Sequence, residues 1–349
     1  MGKSYAISIN GGKEGGGCKY EYKYKGKGNS IELTLYSSNQ VFVEFKTDAE
    51  ILRNAEFSFE SPYLIKVLQN AHLAFALRYG KKLKVNTISV NGKELYNTVG
   101  ENSNAPIVYS MLGDKFRLAD AWKEKTCVEQ ILSALKNDRR IPAVYAFLAS
   151  TGCGYEVQKF MCLWASMNCY YKYTAYLDAQ RHHTVPDTRD AEQIKILLRQ
   201  LHCGDRLMFA KERNLVATKE KYAELMKILA HETKNGQAEQ LYNICWTEVQ
   251  DNQSACYSPK EEIEGLDVSR LKTLGILLLE FPYYLRCNYF HGNKPVLLFS
   301  TDTNTEMNML KTVNYFLYRF LNEHIPQMFS ETVLKGLSNE AVVKIQGKK

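Results

Sequence analysis

The chain has 349 residues, 45% of them hydrophobic, and carries 45 Lys and Arg against 38 Asp and Glu, a formal charge of +7. Such a chain is long enough for two domains with buried cores, and its modest, dispersed positive charge permits an RNA partner without requiring one. Its nine cysteines stand singly with no CxxC pair, so neither a disulfide framework nor a zinc site is encoded, and no metal or cofactor is expected.

The opening MGKSYAIS has no apolar signal core, and its Ala6 does not fit a myristoylation signal, so a cytoplasmic protein is expected. The glycine-rich NGGKEGGGCK, residues 10 to 19, lacks the Gly-Lys-Ser/Thr that closes a phosphate loop, and a strand on each side makes it a hairpin loop instead. In CKYEYKYKGKG, Tyr20, Tyr22 and Tyr24 alternate with Lys19, Glu21, Lys23 and Lys25, which predicts a half-buried strand. Alternating lysines and tyrosines also suit stacking on single-stranded RNA, but any strand with one wet face shows the same alternation. IELTLYSS and VFVEFKT predict two further strands, and LKVNTISVNGKELY predicts a hairpin turning at Asn91-Gly92. Between them, SPYLIKVLQNAHLAFALRYG predicts a helix with Pro62 in its first turn and Gly80 at its C-terminal end.

NTVGENSNAP, residues 97 to 106, is rich in turn formers and predicts a linker. From about residue 115 the apolar spacing becomes helical, in CVEQILSAL, VQKFMCLWASMNCYYKYTAYL, AEQIKILLRQL, KYAELMKILAHE, AEQLYNICWTEV, VSRLKTLGILLLE and MNMLKTVNYFLYRFLNEH. The expected fold class is therefore α+β: a small β-rich domain with one helix over residues 1–105, a helical bundle over 106–330, and a tail over 331–349. LGILLLEFPYYL is too short to span a bilayer and contains Glu280 and Pro282, so no membrane partner is expected. Gln180-Arg181-His182-His183 has no acidic or cysteine partner at metal-ligand spacing and reads as a polar interhelical loop.

One apolar segment ends on LRCNYFHGNK, residues 285 to 294, where Arg286 and His291 stand five apart before Gly292. Arginine is a permanent cation that grips phosphate, and histidine exchanges protons near neutral pH. With 13 arginines and 7 histidines in the chain, an arginine four to six residues ahead of a histidine should occur by chance about 0.8 times, so spacing alone does not identify a site. A second pair, Arg319 and His324 in RFLNEH, has the same spacing. It falls on the last turns of a charged amphipathic helix and reads as surface.

LRCNYFHGNK resembles the Arg-x4-His signature of HEPN domains, in the form carried by Abi-like and ApeA-like bacterial defence proteins. Upstream, KFMCLWASMNCYYKY, residues 159 to 173, resembles the helix of those proteins that bears Leu-Trp, then asparagine, then tyrosine. The resemblance covers roughly residues 115 to 330. This chain departs from many members in having Cys287 directly after the arginine, with Asn288 one place later. The resemblance implies metal-independent RNA cleavage, in which the ribose 2′-hydroxyl attacks the adjacent phosphate. Arg286 and His291 would be catalytic, Asn288 and Asn168 supporting, and Lys294 in contact with RNA. Trp164 and Tyr171 read as core. The alternative is a HEPN-like module that binds RNA or scaffolds without cutting it.

Five residues of regular α-helix turn through about 500°, which leaves Arg286 and His291 roughly 140° apart. They do not make a compact site on one ideal helix. HEPN nucleases join two motifs across a two-fold interface, so the resemblance implies a homodimer through the helical domain. The N-terminal domain is then expected to receive a trigger, phage-derived or a small molecule, and the whole to act as a toxin or antiphage effector.

Overall fold

The computed structural model describes residues 3–11, 16–23, 30–47, 62–97, 112–134, 138–190, 192–194, 196–197, 282, 286 and 303–330. The chain divides into two compact units, one of Met1–Gly152 with Asn322–Lys349 and the other of Cys153–Leu321. The boundary expected at residues 105/106, nearly all of the expected linker, and the tail over 331–349 lie outside the described residues. Among the described residues no helix is long and apolar enough to cross a membrane.

In the first unit, six strands form an antiparallel sheet: β1 (Lys3–Ile9), β2 (Cys18–Lys23), β3 (Ser30–Tyr36), β4 (Gln40–Thr47), β5 (Thr87–Val90) and β6 (Lys93–Asn97). Their order is β2-β3-β4-β1-β5-β6. The two-residue period of a strand fixes which side chains are dry. Val90, Ile7, Val43, Leu33 and Tyr20 face one another across five strands, and all are buried. One register position away, Ala6, Glu44, Glu32 and Glu21 form the corresponding row on the opposite face.

The sheet order corrects one expectation. β1 pairs with β4 and β5, whereas β2 pairs with β3, so the glycine-rich segment joining β1 to β2 is a crossover and not a hairpin loop. The strands β2, β3 and β4 run as a meander that returns beside β1, a Greek-key arrangement. The hairpin at Asn91-Gly92 is as expected. Both residues have positive φ, 49° and 81°, as a twisted two-residue turn requires. The Asn91 side chain also accepts a hydrogen bond from the Ala6 N–H at 2.8 Å, which anchors the turn to β1.

Asn10 and Asn39 occupy the left-handed region too, with φ of 59° and 70°. Asn10 donates to the carbonyls of Asn39 and Lys84, both at 2.6 Å, and accepts from the N–H groups of Asn86 and Thr87. A single carboxamide thereby joins the end of β1, the β3–β4 turn and the approach to β5.

Helix α1 (Pro62–Tyr79) packs against β3 and β4. Its residues from Val67 to Leu77 are buried on nearly every side, except at Gln69, and a helix wrapped in this way is part of the core itself. Each of its large apolar side chains contributes about 1.5–3 kcal/mol by leaving water. Gly80 ends the helix at φ +60°, where a Cβ would lie 2.4 Å from the Phe116 carbonyl oxygen.

Helix α2 (Lys125–Ser133) covers the outer edge of the sheet. The Glu129 carboxylate accepts the Glu21 N–H at 2.7 Å, and the Ser133 hydroxyl accepts the Lys23 N–H at 3.4 Å. Two edge N–H groups of β2 are thus bonded within the chain, which guards against edge-to-edge pairing there.

Helix α3 (Ile141–Ser150) was not among the expected helices. Asp138 and Arg140, both buried, pair at 2.8 Å just before it, and Arg140 also donates to the Met328 carbonyl at 3.1 Å. The Arg140 guanidinium lies 4.4 Å from the Phe329 ring centroid. Trp122, fully buried, stacks on Phe147 and donates its ring N–H to the Asn322 carbonyl at 2.7 Å.

Candidate functional site

The second unit is built on α4 (Glu156–Arg181) and on α5 (Thr303–His324) as far as Leu321. α4 begins after the extended Tyr155 with Glu156 in its first turn, where a carboxylate suits the positive end of the helix dipole. It ends at Arg181, and His183 leaves the helix with φ of 54°. Phe160, Leu163, Trp164, Met167, Tyr171 and Thr174 recur at helical spacing and are buried. Trp164 and Tyr171, read from the sequence as core, pack with ring centroids 6.1 Å apart.

The other side of α4 is wet. Gln158, Met161, Ala165 and Lys172 are exposed, and Asn168, half-buried, falls on the same stripe between Ala165 and Lys172. A polar amide at the margin of a solvent-facing stripe can reach a bound polyanion or a partner surface, whereas one in the core could only serve packing. α4 and α5 are tied at the start of α4, where Asn314 donates to both the Glu156 carbonyl and carboxylate at 2.8 Å. Tyr170 meets Phe320 edge to face at 5.7 Å.

Arg286, in this same unit, is helical and half-buried, and Pro282 is helical and buried. Asn288, His291 and Lys294 lie outside the described residues. So do the expected helices KYAELMKILAHE, AEQLYNICWTEV and VSRLKTLGILLLE.

The second Arg-x4-His pair does not match its reading as surface. His324 is only 8% exposed, and burial lowers its pKa from 6.5 to about 4 against a weaker opposing hydrogen bond with Gln327. It is therefore neutral at pH 7. The helix that looked amphipathic is more deeply packed than its charges indicated: Leu317, Phe320, Leu321, Asn322 and Ile325 are buried around it in sequence. Arg319 is half-buried, as Arg286 is, with its guanidinium 5.9 Å from the Tyr315 ring centroid.

The alternating tyrosines of β2 are not available to RNA bases, because Tyr20 and Tyr22 are 3% and 2% exposed. The sheet's open face holds instead a concavity of about 660 Å³ whose lining includes Glu21, Glu32, Glu44 and Asn91. Three carboxylates aligned across adjacent strands repel a polyanion, even with Lys19 bonded to Glu32 at 3.1 Å. Among the described residues no group of three His, Cys, Asp or Glu side chains is arranged to hold a metal ion.

One pair escaped sequence reasoning altogether. The sulfurs of Cys153 and Cys162, nine residues apart, lie 3.7 Å from each other. Their spacing matches no recognised motif; the signal was a cysteine between two glycines just ahead of a helix that carries another cysteine. A scan against protein-family models found no match, and searches of curated proteins and of solved structures found no similar protein.

Proposed function

We propose that this chain is a metal-independent endoribonuclease of HEPN type, acting as a toxin or antiphage effector through a C-terminal helical bundle. The observation that carries the reading is LRCNYFHGNK, in which Arg286 and His291 close an apolar segment directly before Gly292. The position of Arg286 in a helix, half-buried, supports it. So does α4, whose LWASMNCYY run is helical, with its aromatic residues inside and Asn168 at the solvent margin.

The reaction needs charge compensation and proton transfer. Attack by the ribose 2′-hydroxyl makes the phosphorus pentacoordinate, and Arg286 neutralises the charge that builds on its oxygens. His291, ordinarily near pKa 6.5, delivers a proton to the departing 5′-oxygen. Asn288 and Asn168 hold these groups in place, and Lys294 draws the RNA backbone into reach. Because the two principal residues project about 140° apart on an ideal helix, two copies of the motif complete one site across a homodimer interface. The N-terminal unit receives the trigger.

The test is incubation of the purified full-length chain with total RNA in EDTA. Fragments ending in 2′,3′-cyclic phosphates are expected, since that product follows from internal attack. RNA retention without fragments would favour the non-cutting alternative, and cleavage only with a divalent metal would defeat the mechanism. For the dimer, an Arg286→Ala chain mixed with a His291→Ala chain should regain activity that neither has alone. Full activity from a species that sediments as a monomer would rule out the shared site.

A further inference from the structure

Cys153 and Cys162 stand apart from the catalytic reading, and their placement is specific. Cys153 is the first residue of the second unit and lies in the connection leading into α4, while Cys162 is on the second turn of that helix. Their sulfurs are 3.7 Å apart, both residues are half-buried, and neither is joined in a disulfide. A disulfide requires an S–S distance of about 2.05 Å, so closure asks the two sulfurs to approach by roughly 1.7 Å. The helix holds Cys162 in place. Cys153 sits between Gly152 and Gly154, and a Cβ at Gly154 would meet nothing within 4 Å. The residue that must move is therefore in the more compliant backbone.

We infer that Cys153 and Cys162 form a reversible disulfide, a redox modification site at the entry to α4 that responds to hydroperoxides. The Cys153 sulfur attacks the outer peroxide oxygen as thiolate. The O–O bond breaks, the alkoxide takes a proton and leaves as an alcohol, and the sulfur, oxidised by two electrons, becomes a sulfenic acid. The Cys162 sulfur then attacks that sulfur, the S–O bond breaks, and hydroxide leaves as water with the Cys162 proton. Two thiols and one hydroperoxide thus give one disulfide, one alcohol and one water. Burial, and Cys153 beside it, push the Cys162 thiol up to about 11, which leaves it protonated and ill-suited to the first attack.

The ring so closed contains the Cys153–Cys162 segment, including Glu156, whose carbonyl and carboxylate accept from Asn314. Oxidation therefore fixes the first turns of α4 at the point where α5 is tied to them. Cys169, seven residues beyond Cys162 on the same helix and half-buried, is about 10.5 Å further along the axis and provides an internal control.

The experiment treats the folded full-length chain with tert-butyl hydroperoxide, blocks remaining thiols with N-ethylmaleimide, and maps peptides by mass spectrometry without reduction. The expected result is a linked peptide joining Cys153 to Cys162, lighter by two hydrogens, which dithiothreitol separates and which Cys169 does not enter. In Cys153→Ser the link disappears and Cys162 remains alkylated; in Cys162→Ser, Cys153 is trapped as a sulfenic acid by dimedone. Circular dichroism melts establish that each variant is folded before oxidation. Independent recovery of both cysteines as alkylated or singly oxidised residues from the folded wild-type chain would overturn the inference. So would a linked peptide made mainly with Cys169.

Discussion

Arg286–His291 and Arg319–His324 have the same spacing, and the two regions they occupy differ in what surrounds them. In the later pair the histidine is inside, held neutral at pH 7 by burial, with its arginine beside Tyr315. A histidine that cannot take up a proton near neutrality is unsuited to general-acid work, however close an arginine stands. In the earlier pair the arginine is helical and half-buried, in the second unit. Burial thus takes His324 out of proton exchange near neutrality, and with His72 and Arg140 it is one of the buried polar groups that hold the fold.

The largest effect should come from the planar fork of Arg286. Arg286→Lys keeps the charge but loses two-point contact with phosphoryl oxygens, and cleavage should fall about 10³-fold, roughly 4 kcal/mol of transition-state stabilisation. Arg319→Lys, measured in the same assay, should change cleavage less than about threefold. Equal losses would erase the distinction between the two regions.

Acid should expose the buried histidines next. Burial lowers the pKa of His72 as well, from 6.5 to about 4, with Lys82 adding a smaller push in the same direction. Both histidines are thus neutral in the folded protein and take a proton near pH 6.5 once unfolded. The unfolded state then binds more protons as the pH falls, so stability is complete above about 6.5 and declines between 6.5 and 4. Each histidine accounts for at most about 3 kcal/mol of that decline. Urea midpoints measured between pH 7.5 and 4.5 should fall steeply, and a flat profile would mean that neither side chain is buried as described.

His324→Ala should cost about 2 kcal/mol at pH 7.5, from the cavity it leaves. It should also flatten the acid limb of the profile by about half, since only His72 would still titrate there. A melting temperature equal to wild type would return His324 to the surface. Glu129→Ala, which strips an acceptor from the Glu21 N–H on the β2 edge, should cost least, about 1 kcal/mol, with faster amide exchange at Glu21 as its signature.

How much of this was legible depended on whether local pattern or long-range pairing decided the outcome. Tyr20 and Tyr22 announced a dry face by alternation alone, and Asn91-Gly92 announced a turn, because both are properties of a few consecutive residues. The partner of β1 was not announced. Alternation specifies a face but not which strand lies alongside, so a crossover looked like a hairpin. IPAVYAFLAS is apolar on most sides and short, a pattern that helix and strand share; Pro142 in the first turn was the available cue. In the candidate site, the inward Trp164 and Tyr171 of α4 followed from spacing. The burial of His324 and the approach of Cys153 to Cys162 did not, because both depend on neighbours that the chain supplies only after folding.

The most direct measurement compares His291→Ala with His324→Ala for RNA cleavage in EDTA at pH 7.5, with each rate expressed per folded molecule. Loss of a general acid costs about 10²–10⁴-fold. The account predicts a loss of that size for His291→Ala at an unchanged melting temperature, and near wild-type cleavage for His324→Ala at a lowered one. A His291→Ala chain that cuts as fast as wild type, or a His324→Ala chain that is folded and inactive, would contradict it.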